Sequence, residues 1–408
     1  MPDNNIHLST LNNQLRIALM PRRLPVVYVG LMVGCGTRDE QQPLNGLAHY
    51  IEHCVFKGTS LYSASQIIRQ TELIGGEVNA YTTKEETVFY AATLPSMLPR
   101  TIRLLSQLVL NPTFPDDETR KERQVIFDEI ETYNDSPSDL IYDDFEALLF
   151  RDHPLSLPIL GNKQSLRRIT QKKAREFVDL NYTANNMVLF ALGNIRFSTL
   201  CQLAEQYLGS ATRSRQATCR QLPPDPQPLT CNMSKRTHQA HVMLGGKSLP
   251  LSHPEQYTMQ LLTNIVGGAS MNSMLNLSLR EKHGLVYNIE MTHNPMSDCG
   301  YWSIYYSTDQ HNIDSCSELI NQTLSSLTRQ PLNLSTLQHH KRQLYAQLAI
   351  AALNYENNAL NMAKQVLYQL PLTNYQQAYR QINNITPQQL LELARMLFSQ
   401  PIAQLTYT

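Results

Sequence analysis

Two spacings of apolar residues alternate along this chain. Val26 to Val33, Thr87 to Leu94, Val188 to Gly193 and Gly300 to Ser307 are short runs of strand character. Met97 to Leu110 and Leu334 to Leu353 are longer, with apolar residues recurring every three or four positions, as on one face of a helix. Strand runs joined to helix pairs in this way predict an α+β fold with mostly antiparallel sheets.

At 408 residues the chain is longer than a single core usually supports, so two domains are expected. The boundary is expected at Gln221 to Pro228, where Pro223, Pro224, Pro226 and Pro228 favour an extended linker. The division is then residues 1–215, a linker at 216–230, and residues 231–408. The two halves read as diverged copies: Arg123-Gln124 in a helical stretch aligns with Arg342-Gln343 in another. In that register Glu122 corresponds to Lys341 and Glu129 to Leu348.

The chemistry concentrates in Leu47 to Gly58, a helix expected to end at its glycine. At about 100° per residue, Leu47, Ile51, Cys54 and Val55 form an apolar stripe, with Cys54 as packing, while His49, Glu52, His53 and Phe56 point the other way. Histidines at i and i+4 can reach one metal ion together, and Glu52 lies beside them to take a proton from metal-bound water. The order His-x-x-Glu-His is that of one class of zinc hydrolase. The second half lacks it, which predicts one catalytic repeat and one supporting repeat.

Catalytic zinc usually has three protein ligands, so one more must come from elsewhere. Glu122 and Glu129 are two turns apart in the helical stretch Lys121 to Glu129 and share a face. One can ligate while the other supports, and spacing alone leaves the choice open. His339 and His340 diverge by about 100° on their helix and are expected at the surface rather than on a second metal.

Several segments together resemble the family of inverted-motif zinc metallopeptidases that includes pitrilysin, insulin-degrading enzyme and the mitochondrial processing peptidases. They run from Gly34-Cys35-Gly36-Thr37-Arg38-Asp39-Glu40 through Gly46 to Thr59, then Gly75 to Thr82, Thr87 to Tyr90 and the Glu122 to Glu129 helix. His153-Pro154, Ile159-Leu160-Gly161, Tyr182 to Gly193, Gly267-Gly268 and Leu279 to Tyr287 extend the match over most of the chain.

The resemblance implies two homologous repeats, each a mostly antiparallel sheet packed with helices. It implies one zinc per chain on His49, His53 and Glu129, with Glu122 in support and Glu52 as general base and acid. Tyr287 would stabilise the oxyanion, and Arg280 would hold substrate backbone or carboxylate. Gly75 to Thr82 is similar to the family's substrate-binding edge strand, with Asn79 and Ala80 as contacts for a peptide added by main-chain hydrogen bonds. Large members enclose a chamber with four such domains. Two per chain lead to the expectation of a homodimer whose second subunit contributes Arg280 and Tyr287, or of a heterodimer with a related chain. A structural or regulatory subunit of the family would be expected to have lost the ligands, and their retention here favours catalysis.

Composition narrows the remaining classes. A formal net charge of zero gives no nucleic-acid-binding surface, and the basic stretch Arg213 to Arg220 reads as a solvated linker. No run of about 18 apolar residues proposes a membrane span. The beginning, Met1 to His7, lacks signal-peptide regions, and seven cysteines without paired spacing suit reduced thiols, so a cytosolic protein is expected.

Overall fold

The computed structural model describes residues 6–212, 220–225, 229–235 and 237–408. The expectations for Met1 to Asn5, for 213–219 of the basic stretch and for 226–228 of the proline-rich segment therefore fall outside the described residues.

In chain order the elements begin β1 (His7–Thr10), β2 (Arg16–Pro21), β3 (Val27–Val33), α1 (Leu47–Cys54), α2 (Ala64–Ile74), β4 (Glu77–Thr82), β5 (Thr87–Thr93), α3 (Leu98–Leu110), α4 (Asp116–Asn134) and α5 (Pro137–Leu149). They continue with α6 (Lys163–Arg167), α7 (Gln171–Asn181), β6 (Met187–Gly193), α8 (Phe197–Leu208), β7 (Thr230–Met233), β8 (Ala240–Lys247) and α9 (Gln256–Gly267). The remainder is β9 (Val286–Pro295), β10 (Gly300–Thr308), α10 (Ile313–Arg329), α11 (Leu334–Ala351), α12 (Tyr355–Leu367), α13 (Tyr375–Asn384), α14 (Pro387–Phe398) and β11 (Ala403–Tyr407).

The strands form two sheets, ordered β1-β2-β6-β3-β5-β4 and β7-β11-β8-β10-β9. Leaving out β1, the two orders superpose strand for strand. Each contains one parallel pair, β2 with β6 and β7 with β11, and is otherwise antiparallel. The fold is α+β and repeated, as the sequence predicts.

Both faces of each sheet are buried, which explains why β6 reads as one unbroken apolar run. Because side chains alternate along a strand, Ile17, Leu19, Val29 and Leu31 face one core of the first sheet, built with α1, α3 and α8. Ala18, Met20, Met32, Val188 and Phe190 face the other, covered by Ala359, Met362, Ala363 and Leu367 of α12. On the second sheet Val242, Leu244, Trp302 and Ile304 pack with α9, α10 and α14. Its other face carries Met243, Tyr301, Leu405 and Tyr407 and is covered by Ile141, Phe145 and Leu149 of α5.

Each sheet thus takes its covering helix from the opposite half of the chain. Compactness divides the protein into Met1–Glu131, Leu157–Arg220 and Leu353–Leu372 as one unit, and Thr132–Ser156, Gln221–Ala352 and Thr373–Thr408 as the other. These units differ from contiguous halves because α5 and α12, which occupy equivalent places in the two repeats, are exchanged. Polar side chains secure both helices. Arg16 donates to the Val366 and Leu367 carbonyls at the end of α12 at 2.9 and 2.7 Å, and Lys364 meets Glu86 at 2.5 Å. Tyr301 and Tyr407 donate to Glu146 and Asp144 of α5 at 2.7 and 2.6 Å.

Two surface assignments from sequence are corrected. His340 is buried, at 8% exposure, because Leu337, His340, Lys341 and Leu344 form the core-facing stripe of α11, whereas His339 is exposed. Arg220, expected in a solvated linker, pairs with Asp39 at 2.8 Å and Glu85 at 3.2 Å, and Glu85 pairs with buried Arg38 at 2.7 Å. A charge run in sequence does not reveal carboxylates that converge on it from distant turns.

Candidate metal centre

Helix α1 is fixed before any chemistry is considered. Its N-cap, Gly46, has a φ of 88°, and a Cβ there would lie 2.8 Å from the Leu160 carbonyl oxygen. Gly161 is equally tight, since a Cβ on it would meet the Asn45 oxygen at 2.5 Å, so both positions require glycine. Glu40 accepts the Ala48 N–H at 2.8 Å and the Gly46 N–H at 2.9 Å, satisfying donors that a helix start leaves open. Burial raises the Glu40 pKa to about 8, against the opposing pull of those donors.

The helix ends at Cys54 and continues as a tight 3-10 turn, Val55–Lys57, to Gly58. Leu47, Ile51, Cys54 and Val55 are buried in the core stripe as expected, while Phe56 is partly buried against the same core rather than on the site face.

His49 and His53 lie one turn apart with ring centroids 4.6 Å apart. Their Nε2 atoms are 3.8 and 3.6 Å from Glu129 Oε2 on α4, and the three ligand atoms all lie within 4.8 Å of one another. Among the described residues this is the one group of three such side chains able to hold a metal ion. Donors bonded tetrahedrally to zinc at roughly 2.0–2.2 Å are about 3.4 Å apart, so the cluster is close to the required shape.

The protonation states also fit. Burial, and then the neighbouring charge of His53, lower the His49 pKa to about 3, so its ring is neutral. Glu122 Oε1 lies 2.9 Å from His53 Nδ1, a contact in which Nδ1 donates and Nε2 is the nitrogen turned toward Glu129. Glu122 is itself buried and its other oxygen pairs with Lys57 at 2.7 Å. His49 Nδ1 has no such partner among the described residues. The two glutamates on α4 thus divide, with Glu122 behind His53 and Glu129 in front of both rings.

Glu52 stands apart from the three ligand atoms. Its carboxyl pKa is raised, first by burial and also by the charge of Glu129, against the opposing effects of Thr82 and His53. Thr82, the last residue of β4, donates from Oγ1 to Glu52 Oε2 at 2.7 Å. Sequence reading missed Thr82, Lys57 and Glu40. Lys57 and Thr82 sit in segments that resemble the family, but nothing in their spacing announces a side chain reached across tens of residues.

Among the described residues, strand β4 is an edge strand that pairs only with β5, with Asn79 opposite Tyr90 and Ala80 opposite Phe89. Asn79 is exposed and Ala80 half-buried. Arg280 and Tyr287 belong to the second compact unit. Arg280 lies in the π-helical segment Asn276–Lys282 and Tyr287 at the start of β9; both are exposed, and the Tyr287 hydroxyl donates to Asp309 at 3.4 Å.

Comparison with known proteins decides the family. The profile described as insulinase, peptidase family M16, matches residues 17–163, and that described as the peptidase M16 inactive domain matches 168–344. The chain is 31% identical over 396 residues to an uncharacterized zinc protease, YmxG, of Bacillus subtilis, covering 97% of this chain and 96% of that one. It belongs to peptidase family M16.

An uncharacterized zinc protease of Rickettsia felis is also 31% identical, over 402 residues, with 97% of this chain and 95% of the relative covered. Among solved structures, a peptidase M16 inactive domain from Pseudomonas fluorescens has the same fold, with a TM-score of 0.92 at 19% identity over 99% of this chain and 98% of its own. A protease from Helicobacter pylori gives 0.90 at 20% identity over 99% and 100%. This M16 chain carries its candidate ligands within the first matched region. In the second repeat, α11 has Lys341 and Leu348 at the positions aligned with Glu122 and Glu129, and Lys341 Nζ is engaged by the Asn383 carbonyl at 2.7 Å. Among the described residues, no helix is long and apolar enough to cross a membrane.

Proposed function

We propose that this M16 protein is a zinc endopeptidase that hydrolyses short or unfolded peptides. The observation that carries the reading is the convergence of His49 Nε2, His53 Nε2 and Glu129 Oε2 beside a fourth group, Glu52, whose carboxyl is not part of the ligand set. One zinc ion per chain, held by His49, His53 and Glu129, would supply Lewis acidity, polarising the scissile carbonyl and acidifying a water molecule.

The protein's own groups carry the protons. Glu52 Oε2 is tied to Thr82, so Oε1 accepts the proton as the water oxygen attacks the carbonyl carbon. Glu52, protonated in that step, then hands the proton to the leaving nitrogen as the C–N bond breaks. Glu122 keeps His53 in the tautomer that presents Nε2, and Lys57 balances the charge of Glu122. A peptide lies along the free edge of β4, beside Asn79 and Ala80, and is recognised by its main chain. Main-chain recognition demands an extended segment, which folded proteins rarely offer.

In this proposal the active assembly is a homodimer, with Arg280 and Tyr287 of the second subunit completing each site. The exposure of both side chains supports that role. The deciding experiment is cleavage of an unstructured-peptide library by the wild type and by Glu52→Gln, with zinc measured on both. Zinc near one per chain in both, with cleavage lost in the variant alone, is the expected result. Equal cleavage by the two proteins would sink the assignment.

A further inference from the structure

Strand β4 pairs with β5 on one edge and reaches Glu52 with its last side chain. Its outer edge carries no strand among the described residues. The turn that follows is pinned from several directions. Thr83 accepts the Glu85 and Glu86 N–H groups on Oγ1 at 3.2 and 3.0 Å, and its carbonyl accepts the Thr37 N–H at 3.2 Å. The Lys84 carbonyl accepts the Arg38 N–H at 2.8 Å, and the Arg38 side chain pairs with Glu85 in a buried ion pair. Thr82 therefore joins this pinned turn to the residues before it, Glu77 to Tyr81, whose backbone pairs with β5 on one edge and, among the described residues, with no strand on the other.

We propose that Thr82 is a positioning residue that couples peptide addition on β4 to the orientation of the Glu52 carboxylate. This rests on the peptidase reading and deepens it. Hydrogen bonds from an added strand immobilise the β4 backbone, and with it the hydroxyl that occupies Glu52 Oε2 and turns Oε1 toward the water. Length of peptide then raises the rate of the chemical step as well as affinity, because binding remote from the scissile bond is used to order the base.

The test uses the full-length zinc-loaded protein and two quenched-fluorescence peptides with one cleavable bond, of about four and about ten residues, the longer able to pair along all of β4. In the wild type kcat is expected to rise about tenfold from the short to the long peptide. Thr82→Val should lower kcat on the long peptide about 10- to 100-fold, with KM within about twofold and zinc unchanged, and should abolish the length dependence of kcat. Thr82→Ser, which keeps the hydroxyl, should restore kcat to within about threefold. The proposal is overturned by wild-type kcat in Thr82→Val, by a change confined to KM, by loss of zinc or folding in that variant, or by failure of Thr82→Ser to rescue. Absence of cleavage by the wild type overturns the peptidase reading itself, a failure distinct from one confined to the Thr82 variants.

Discussion

His53 Nδ1 lies 2.9 Å from Glu122 Oε1, while the opposite nitrogen of the same ring lies 3.6 Å from Glu129 Oε2. Two carboxylates on one face of one helix therefore act on opposite edges of a single imidazole. Loss of the supporting partner should weaken zinc about 10- to 100-fold. Loss of the ligand should weaken it further, since a charged donor disappears. Competition against a fluorescent chelator with Glu122→Gln and Glu129→Gln measures both, and equal affinities in the two variants would contradict the division of roles.

Glu40 ties helix stability to pH. Its folded pKa of about 8 exceeds the ordinary 4.5, so the folded state holds a proton that the unfolded state releases. The stabilisation is complete below about pH 4.5 and is lost as pH rises through about 8. Glu40→Gln cannot titrate, so its melting temperature should change less than that of the wild type between those limits. Parallel melting curves for the two proteins across the window would refute this account of Glu40.

The exchanged helices make each sheet dependent on the other half of the chain. Residues 6–220 expressed alone lack α12 and would leave Ala18, Met20, Met32, Val188 and Phe190 uncovered. That fragment should aggregate or bind a hydrophobic dye, and a peptide of residues 353–372 should reduce both effects. In the whole chain, Met362→Ala at a 1% exposed position should cost roughly 2–5 kcal/mol in denaturant unfolding. A soluble, well-packed 6–220 fragment would show that α12 is dispensable.

Subunit mixing tests the proposed homodimer and its composite site. Glu52→Gln and Tyr287→Phe are each expected to be inactive or strongly impaired as homodimers. If Tyr287 acts in the partner's site, equal mixing and exchange leaves one intact site in half of the dimers, recovering about a quarter of wild-type activity. Mixing without recovery, with exchange demonstrated, would place Tyr287 in its own chain's site or outside the chemistry.

Within single elements the sequence was sufficient. The rise and turn of an α-helix set where His49, Glu52 and His53 lie relative to one another, and short runs of strand character marked β3, β5 and β10 within a residue or so. That Glu122 and Glu129 share a face was legible for the same reason. Which of them meets Nδ1 and which meets Nε2 depended on how α4 packs beside α1, and only tertiary structure decided it. Thr82 reaches Glu52 across thirty positions, Arg220 finds Asp39 across 181, and α5 and α12 cover sheets formed by the opposite half of the chain. Backbone geometry dictates the arrangement of side chains along one element from local sequence. The pairing of elements is chosen by burial of their apolar faces against one another, and an apolar stripe states that a face must be covered without stating by what.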